Sequence, residues 1–328
     1  MSLSTFEVDS TSRDCVGDQP FWSVMIPTYN PDCGYLRKAI ESVLMQDEGR
    51  DQMQIEVVDD CSPEVDVQSL VREIAGNRVN FYRAPENRGL GESWNTCVSR
   101  GKGNWIHILH QDDLVLSDFY RSLRSGITQH PEVGAAYTRH AYCDESGNWH
   151  RLSPLEAPKS GPLVGFLESL MHAERIQCAS IVVRRDVYQI LGGFDSRLTH
   201  ALDWEMWIRI ASSFEILYEP KILACWRNHS AATTSRQIRS GENLRDILKA
   251  IRIWQEHLKI ADAAHLGGIA KRRFGEEGLF MARRLYGMGD YEAALNQILA
   301  ARQFNESPGF QYRAAKLLLK TMFRKTLQ

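Results

Sequence analysis

Residues 22–30 read Trp22-Ser23-Val24-Met25-Ile26-Pro27-Thr28-Tyr29-Asn30, an apolar run that reaches a proline and then turns polar. Its length suits a strand buried on both faces, and proline suits the end of a ladder because it has no N–H to donate. Outward from this run, Leu36, Ile40, Val43 and Leu44 recur at helical spacing, and residues 55–58 are apolar again and stop at two aspartates. The alternation continues as helix 67–74, strand 79–82, helix 92–99, strand 105–109 and helix 116–129. Short apolar strands separated by helices long enough for crossovers predict an α/β domain with a mostly parallel central sheet flanked by helices. Ligands of such sheets bind beyond the carboxyl ends of the strands, so the residues after each apolar run carry the chemistry.

Past Pro131 the pattern loosens. Residues 134–143 and 148–152 read as a hairpin around Glu145-Ser146-Gly147, 153–162 as a proline-rich loop, 180–183 as a strand and 202–211 as a helix. From about 237 only helical pattern remains, with Ile247, Ile251 and Trp254 on one stripe. The expected division is a polar leader (1–20), a main domain (21–236, in halves of about 21–113 and 114–236) and a C-terminal helical region (237–328). Residues 282–301 resemble one tetratricopeptide unit. One unit does not make a solenoid, so a helical hairpin packed on the main domain is expected.

With 328 residues, 43% hydrophobic and 24% charged, the chain has the composition of a globular protein with a sizeable core. A net charge of -2 offers no footprint for nucleic acid. The seven cysteines, Cys15 among them, are dispersed without a Cys-x-x-Cys pair and read as reduced thiols. Glu7, Asp9, Asp14 and Asp18 exclude a signal peptide from the first twenty residues, and no run nears the roughly 20 apolar residues of a membrane span. A cytoplasmic location is expected.

The first strand does not lead into Gly-x-Gly-x-x-Gly, and no Gly-x-x-x-x-Gly-Lys-Ser/Thr occurs, which argues against hydride transfer and P-loop chemistry. Tyr29 offers a ring on which a base can stack, although Pro27 to Asn30 alone could be an ordinary strand-to-loop transition. The second strand ends in Val58-Asp59-Asp60-Cys61-Ser62 and the fourth in His110-Gln111-Asp112-Asp113. One aspartate pair could simply cap the next helix. Two pairs on one rim repel each other unless a cation compensates, and hard oxygen ligands suit magnesium or manganese.

Together with Asn87-Arg88-Gly89 before a helix, and Gly192-Gly193-Phe194-Asp195 followed by Asp203-Trp204-Glu205, these motifs resemble the large family of inverting GT-A glycosyltransferases, glycosyltransferase family two. The likeness runs from about residue 21 to 230 and implies a GT-A nucleotide-diphospho-sugar transferase fold with a C-terminal helical appendage. It also implies roles. Pro27, Thr28, Tyr29 and Asn30 would line the donor site, with Thr28 and Tyr29 against the base. Asp59 would accept a hydrogen bond from the base, and Arg88 would lie near the nucleotide. Asp112 would face the ribose and Asp113 a divalent ion, Mn2+ or Mg2+, although His110 and Cys61 depart from the family's common aspartate and glycine and leave those two roles interchangeable. Asp203, preceded by Leu202 in place of the usual glutamate, would be the general base; Glu205 is its rival, on another helix face. In Trp226-Arg227-Asn228-His229-Ser230, Arg227 and His229 would approach the diphosphate or metal, unless His229 is an ordinary loop histidine. His107 and His110, three apart on a strand, face opposite ways and are not expected to share a metal.

The implied reaction moves a sugar from a nucleotide-diphosphate donor to a hydroxyl of a saccharide or lipid-linked acceptor. A nucleotidyltransferase would need a basic Gly-rich loop after the first strand, where Pro27-Thr28-Tyr29-Asn30 stands; a non-catalytic binding or scaffold protein is the reading from another class. Residues 153–175, where acceptor choice is expected, carry no legible motif. In the tail, Arg313, Lys316, Lys320, Arg324 and Lys325 accompany Leu317, Leu318, Leu319, Met322, Phe323 and Leu327. That composition fits either peripheral contact with an anionic membrane at its inner face or a terminal helix packing its leucines on the preceding hairpin.

Overall fold

The computed structural model describes residues 19–229, 233–257 and 263–326. Most of the expected leader, with Cys15, and also Ser230 and Leu327 lie outside the described residues. The first half runs β1 (Trp22–Thr28), α1 (Cys33–Leu44), β2 (Met53–Asp59), α2 (Val67–Ala75), β3 (Asn80–Arg83), α3 (Leu90–Arg100), β4 (Trp105–Ile108), β5 (Leu114–Val115) and α4 (Phe119–Gln129). Next come β6 (Ala135–Cys143), β7 (Trp149–Leu152), β8 (Gly161–Pro162), α5 (Phe166–His172), β9 (Ile181–Arg184), α6 (Arg185–Leu191), α7 (Leu202–Ser213) and β10 (Ile216–Arg227). The chain closes with α8 (Thr233–Ser240), α9 (Glu242–His257), α10 (Ala263–Gly287), α11 (Tyr291–Ala301) and α12 (Pro308–Lys325).

One mixed sheet has the order β3-β2-β1-β4-β9-β6-β10-β5, with β7 added to β6 and β8 to β10. The expectation of a mostly parallel sheet holds for β3-β2-β1-β4, each reached through a helix. It does not hold beyond them. Strand β9 runs against both β4 and β6, β6 and β10 are parallel, and β5 is antiparallel to β10. Strand β7 follows β6 through a short turn, too short for a crossover, and so pairs antiparallel. Helix α4 starts at Phe119 rather than 116, because Asp118 at its N-cap takes a left-handed φ of 74°.

Strand β10 has no counterpart in the sequence reading, because Glu219-Pro220-Lys221 interrupts its apolar pattern. The structure absorbs the proline in register shifts between Glu219 and Ala224, which let the strand continue to Arg227.

Period two sends Trp22, Val24 and Ile26 into the core under α1, α2 and α4, and Met25 into the core on the opposite face. That second core does not stop at the sheet. It runs through α7 into the C-terminal helices, where Trp204 meets Trp254 and Phe274 edge-on at centroid distances of 6.4 and 5.1 Å. Phe310 and Ala314 of α12 belong to the same cluster, and α8 spans position 236. The hairpin α10–α11 therefore packs on the main domain. Along α12, Leu317 and Leu318 are partly buried, whereas Tyr312, Leu319, Met322 and Phe323 are exposed.

Candidate active site

The adjacent parallel ends of β1, β2 and β4 build one rim. Pro27 pairs with Val58 of β2, while the β4 pairing ends at Met25, so its missing N–H costs the sheet nothing. Beyond it, Gln111 Oε1 accepts from Thr28 Oγ1 at 2.6 Å and from the Tyr29 N–H at 2.9 Å, lacing β1 to the acidic turn after β4. No sequence pattern marks Gln111 for this role. Asn30, at φ 42°, donates its N–H to Ser62 Oγ at 2.8 Å and accepts from the Glu64 N–H. Tyr29 is 45% exposed, which leaves its side chain accessible for stacking.

The two aspartates after β2 divide their work. Asp59 is fully buried, accepting from Ser62 Oγ at 2.5 Å and pairing with Arg83 Nη1 at 3.2 Å. Arg83, which no motif picked out, is the partly exposed member of that pair. Asp60 accepts the N–H groups of Arg88 and Gly89 at 3.0 and 2.9 Å and so holds the turn into α3, while the next helix, α2, is capped by Asp66 and not by this pair. Gly89 sits at φ 84°, which glycine adopts without steric cost. The Arg88 side chain lies outward, 3.3 Å from Glu92. Cys61, where the family commonly has glycine, takes a left-handed φ of 61°.

After β4 the groups converge. One oxygen of Asp113 accepts the Arg227 N–H at 2.9 Å; the other is buried, with no hydrogen-bond partner among the described residues and His110 Nδ1 at 3.5 Å. His110 stacks on Trp94 at 4.8 Å, and its Nε2 is likewise unpartnered. Asp112 receives His229 Nε2 at 2.8 Å. Burial pushes the Asp113 carboxyl up to about 6. Burial works to lower His110, but the carboxylates of Asp113, Asp112 and Asp203 outweigh it and raise the imidazole. Burial likewise opposes ionisation of Asp112, yet the His229 bond and the His110 charge hold it below the usual range.

Ligand atoms of His110, Asp112 and Asp113 lie within 4.8 Å of one another. An unsatisfied buried carboxylate oxygen, a second carboxylate and an imidazole with a free nitrogen form a donor set that fits a divalent ion. His110 was not among the residues read as metal ligands; its place in the acidic motif was the available signal. His229, which was, bonds to Asp112 and stands behind this cluster. His107 is far from it in role: it lies within β4, buried against α4, with ring nitrogens 3.0 Å from Tyr120 Oη and 3.2 Å from the Ala179 carbonyl. Arg227 is also buried. Its Nε donates to the Asp112 carbonyl, its Nη1 to the carbonyls of Asp144 and Glu145, and its guanidinium covers the Tyr35 ring at 4.6 Å. These bonds set the acidic turn rather than leave the fork open toward solvent.

Asp203 stands in the first turn of α7, 8% exposed, accepting the Trp204 N–H at 2.8 Å. Burial raises its carboxyl, and it is close enough to His110 for each to shift the other. Glu205 is occupied elsewhere: Arg209 binds it in a two-pronged ion pair at 2.7 and 2.8 Å and also holds the Leu191 and Gly193 carbonyls. The loop before α7 is fixed by Asn95, which exchanges hydrogen bonds with the Phe194 backbone at 2.8 and 2.9 Å. The rim thus offers an aromatic platform, a cation-ready cluster and the Asp203 carboxylate at a helix start.

A family model described as glycosyl transferase family 2 matches residues 23–212. An uncharacterized glycosyltransferase of Rickettsia prowazekii is 24% identical over 230 residues, 70% of each chain. The crystal structure of S. aureus TarS 1–349 in complex with UDP-GlcNAc superposes with a TM-score of 0.63 at 15% identity, covering 92% of this chain and 89% of that one. Mannosyltransferase PcManGT from Pyrobaculum calidifontis, in complex with GDP-Man and Mn2+, gives 0.57 at 18% identity, covering 92% and 79%. At these identities the likeness of the structures is one of fold.

Proposed function

The chain belongs to glycosyl transferase family 2 and is a glycosyltransferase, and on that premise we propose that it transfers a sugar from a nucleotide-diphosphate donor to an acceptor hydroxyl with inversion. The observation that carries this reading is Asp203 close enough to His110 to shift it, next to a cluster whose buried Asp113 oxygen lacks a partner among the described residues. Asp203 takes the proton of the acceptor hydroxyl as that hydroxyl attacks the anomeric carbon from the side opposite the diphosphate. With Glu205 held by Arg209, Asp203 has no competitor on α7. Asp113, Asp112 and His110 would hold Mn2+ or Mg2+, which when bound supplies charge neutralisation for the departing diphosphate. Tyr29 would stack on the base, with Thr28 and Asn30 shaping the rim; Pro27, Asp59 and Arg88 would complete the donor site. Arg227 and His229 keep the acidic turn in place.

The acceptor is a hydroxyl of a saccharide or of a lipid-linked carrier. Peripheral contact at the inner face of a membrane would suit the second, and the exposed apolar side of α12 supports it. Among the described residues no helix is long and apolar enough to cross a membrane. Thermal shift against uridine, guanosine and thymidine diphosphates, and hydrolysis of their sugar conjugates, each with and without Mn2+, tests the reading. Stabilisation by one nucleotide that Mn2+ strengthens, with slow release of that nucleotide from its sugar, is expected. No nucleotide effect and no release would leave a binding or scaffold role instead.

A further inference from the structure

The residues from His110 to Asp113 form a turn closed by the Asp113 N–H on the His110 carbonyl at 3.2 Å. His110, Asp112 and Asp113 supply the cluster, whereas Gln111 reaches back to the end of β1. The ladder between β1 and β4 explains why a side chain is needed there. Odd-numbered residues around β1 turn their peptide groups to β4: the Phe21 carbonyl takes the Trp105 N–H and the Met25 carbonyl the Leu109 N–H, both at 3.0 Å. Pro27 and Tyr29 come next in that row. Pro27 has no N–H to give, and among the described residues no backbone hydrogen bond joins 27–30 to 110–113. Gln111 supplies the missing rung. Its Oε1 accepts from Thr28 Oγ1 at 2.6 Å and from the Tyr29 N–H at 2.9 Å, and its Nε2 stands 3.5 Å from the Tyr29 carbonyl oxygen. A backbone N–H can only donate, so the carboxamide oxygen must face Tyr29, and its two lone pairs are both in use. From the β2 side the Asp60 N–H holds the Thr28 carbonyl at 2.9 Å.

We propose that Gln111 is a positioning residue for the nucleotide base: it fixes the Tyr29 backbone to the turn that carries the cluster, and so sets the stacking ring in register with the cation-ready end of the site. A residue past the end of a strand has backbone freedom to lose when a base settles on its ring. A rung made beforehand removes that cost from binding. This deepens the proposed function and rests on Tyr29 stacking on the base.

The test compares the full wild-type chain with Gln111→Ala, Gln111→Glu, Thr28→Val and the Thr28→Val/Gln111→Ala double variant. The Tyr29 amide hydrogen should exchange with solvent about tenfold faster in Gln111→Ala, and near the wild-type rate in Gln111→Glu, whose carboxylate still accepts it. That readout needs no nucleotide. Among the diphosphates of uridine, guanosine and thymidine, the one that binds the wild type with Mn2+ should bind Gln111→Ala about 3- to 10-fold more weakly. Donor KM should rise alike, while kcat stays within about threefold. A general loss of structure would instead lower the active fraction, and with it kcat, and leave KM alone. Because Thr28 and Tyr29 share one acceptor, Thr28→Val should add less than about twofold to the loss caused by Gln111→Ala. Wild-type exchange of the Tyr29 amide in Gln111→Ala, unchanged Kd and KM in that variant, or fully additive losses in the double variant overturns the proposal. Faster exchange in Gln111→Ala together with no diphosphate bound by the wild type would fault the proposed function itself, so the two failures are distinct.

Discussion

His229 Nε2 stands 2.8 Å from Asp112 Oδ2 and joins the segment after β10 to the acidic turn after β4. Outer partners that orient a ligating carboxylate typically tune metal affinity 10- to 100-fold. His229→Ala should therefore weaken Mn2+ binding by about that factor, while Asp113→Ala, which removes a ligand, should abolish it. Titration with Mn2+ in the presence of the nucleotide diphosphate measures both; equal affinities in all three proteins would contradict the cluster.

Asp203→Asn preserves shape and removes the proton acceptor. Turnover should fall by about 100- to 10,000-fold with the donor dissociation constant nearly unchanged. A variant retaining a large share of the wild-type rate would show that another group serves as base.

The left-handed φ of Cys61 strains a residue with a Cβ, by about 1–2 kcal/mol. Glycine at this position relieves that strain but gives the unfolded chain more freedom, so Cys61→Gly should stabilise by about 0.5–1 kcal/mol net. Urea denaturation reads the change, and a loss of stability would mean that the Cys61 thiol, 3.8 Å from the Pro85 carbonyl, matters more than the backbone.

His140 is 1% exposed, both its ring nitrogens lack partners among the described residues, and burial pushes it down to about 3. Its folded pKa lies below the unfolded one, so the unfolded chain gains a proton that the folded one refuses as pH falls below about 6.5. Stability is thereby lost on acidification. Between about pH 7.5 and pH 5.5 this one residue contributes a loss of about 1.4 kcal/mol. His140→Leu, similar in size and without nitrogens to satisfy, should flatten the pH dependence of stability by that amount. The same slope in both proteins would show that His140 takes up its proton in the folded state.

On α12, Tyr312, Leu319 and Phe323 share one exposed face, with Lys316, Lys320 and Arg324 along its side; Lys320 also covers the Tyr286 ring at 4.8 Å. If this face meets anionic lipid, a Leu319→Glu/Phe323→Glu double variant should lose sedimentation with phosphatidylserine vesicles, and neutral vesicles should bind neither protein. Sedimentation that ignores both the substitutions and the lipid charge would leave α12 a structural helix.

The N-terminal half was legible because each of its strands is a short apolar run buried on both faces and each link is a periodic helix. The rest depended on pairings that no local pattern carries. Pro220 disguised β10, and with it the strand that supplies Arg227. Glu205 looked like a rival base until Arg209, one helical turn on, was seen to bind it. Gln111, Trp94 and Arg83 gain their roles from partners across the sheet, and single residue types such as these leave no periodic trace. Motif order, in contrast, brought Thr28, Asp59, Asp112, Asp113 and Asp203 to the fore, because strand ends in a parallel sheet converge wherever the intervening chain runs.

The bond from the Arg227 N–H to Asp113 spans 114 positions of the chain. During vectorial synthesis the acidic turn leaves the ribosome well before the amide that fixes it, and β5 waits equally long for β10, the strand it pairs with. A nascent chain that has completed β1 to β4 therefore carries the aspartates without the frame that orients them. The cation-ready cluster is a late product of folding, and premature termination before Arg227 yields a fragment without it.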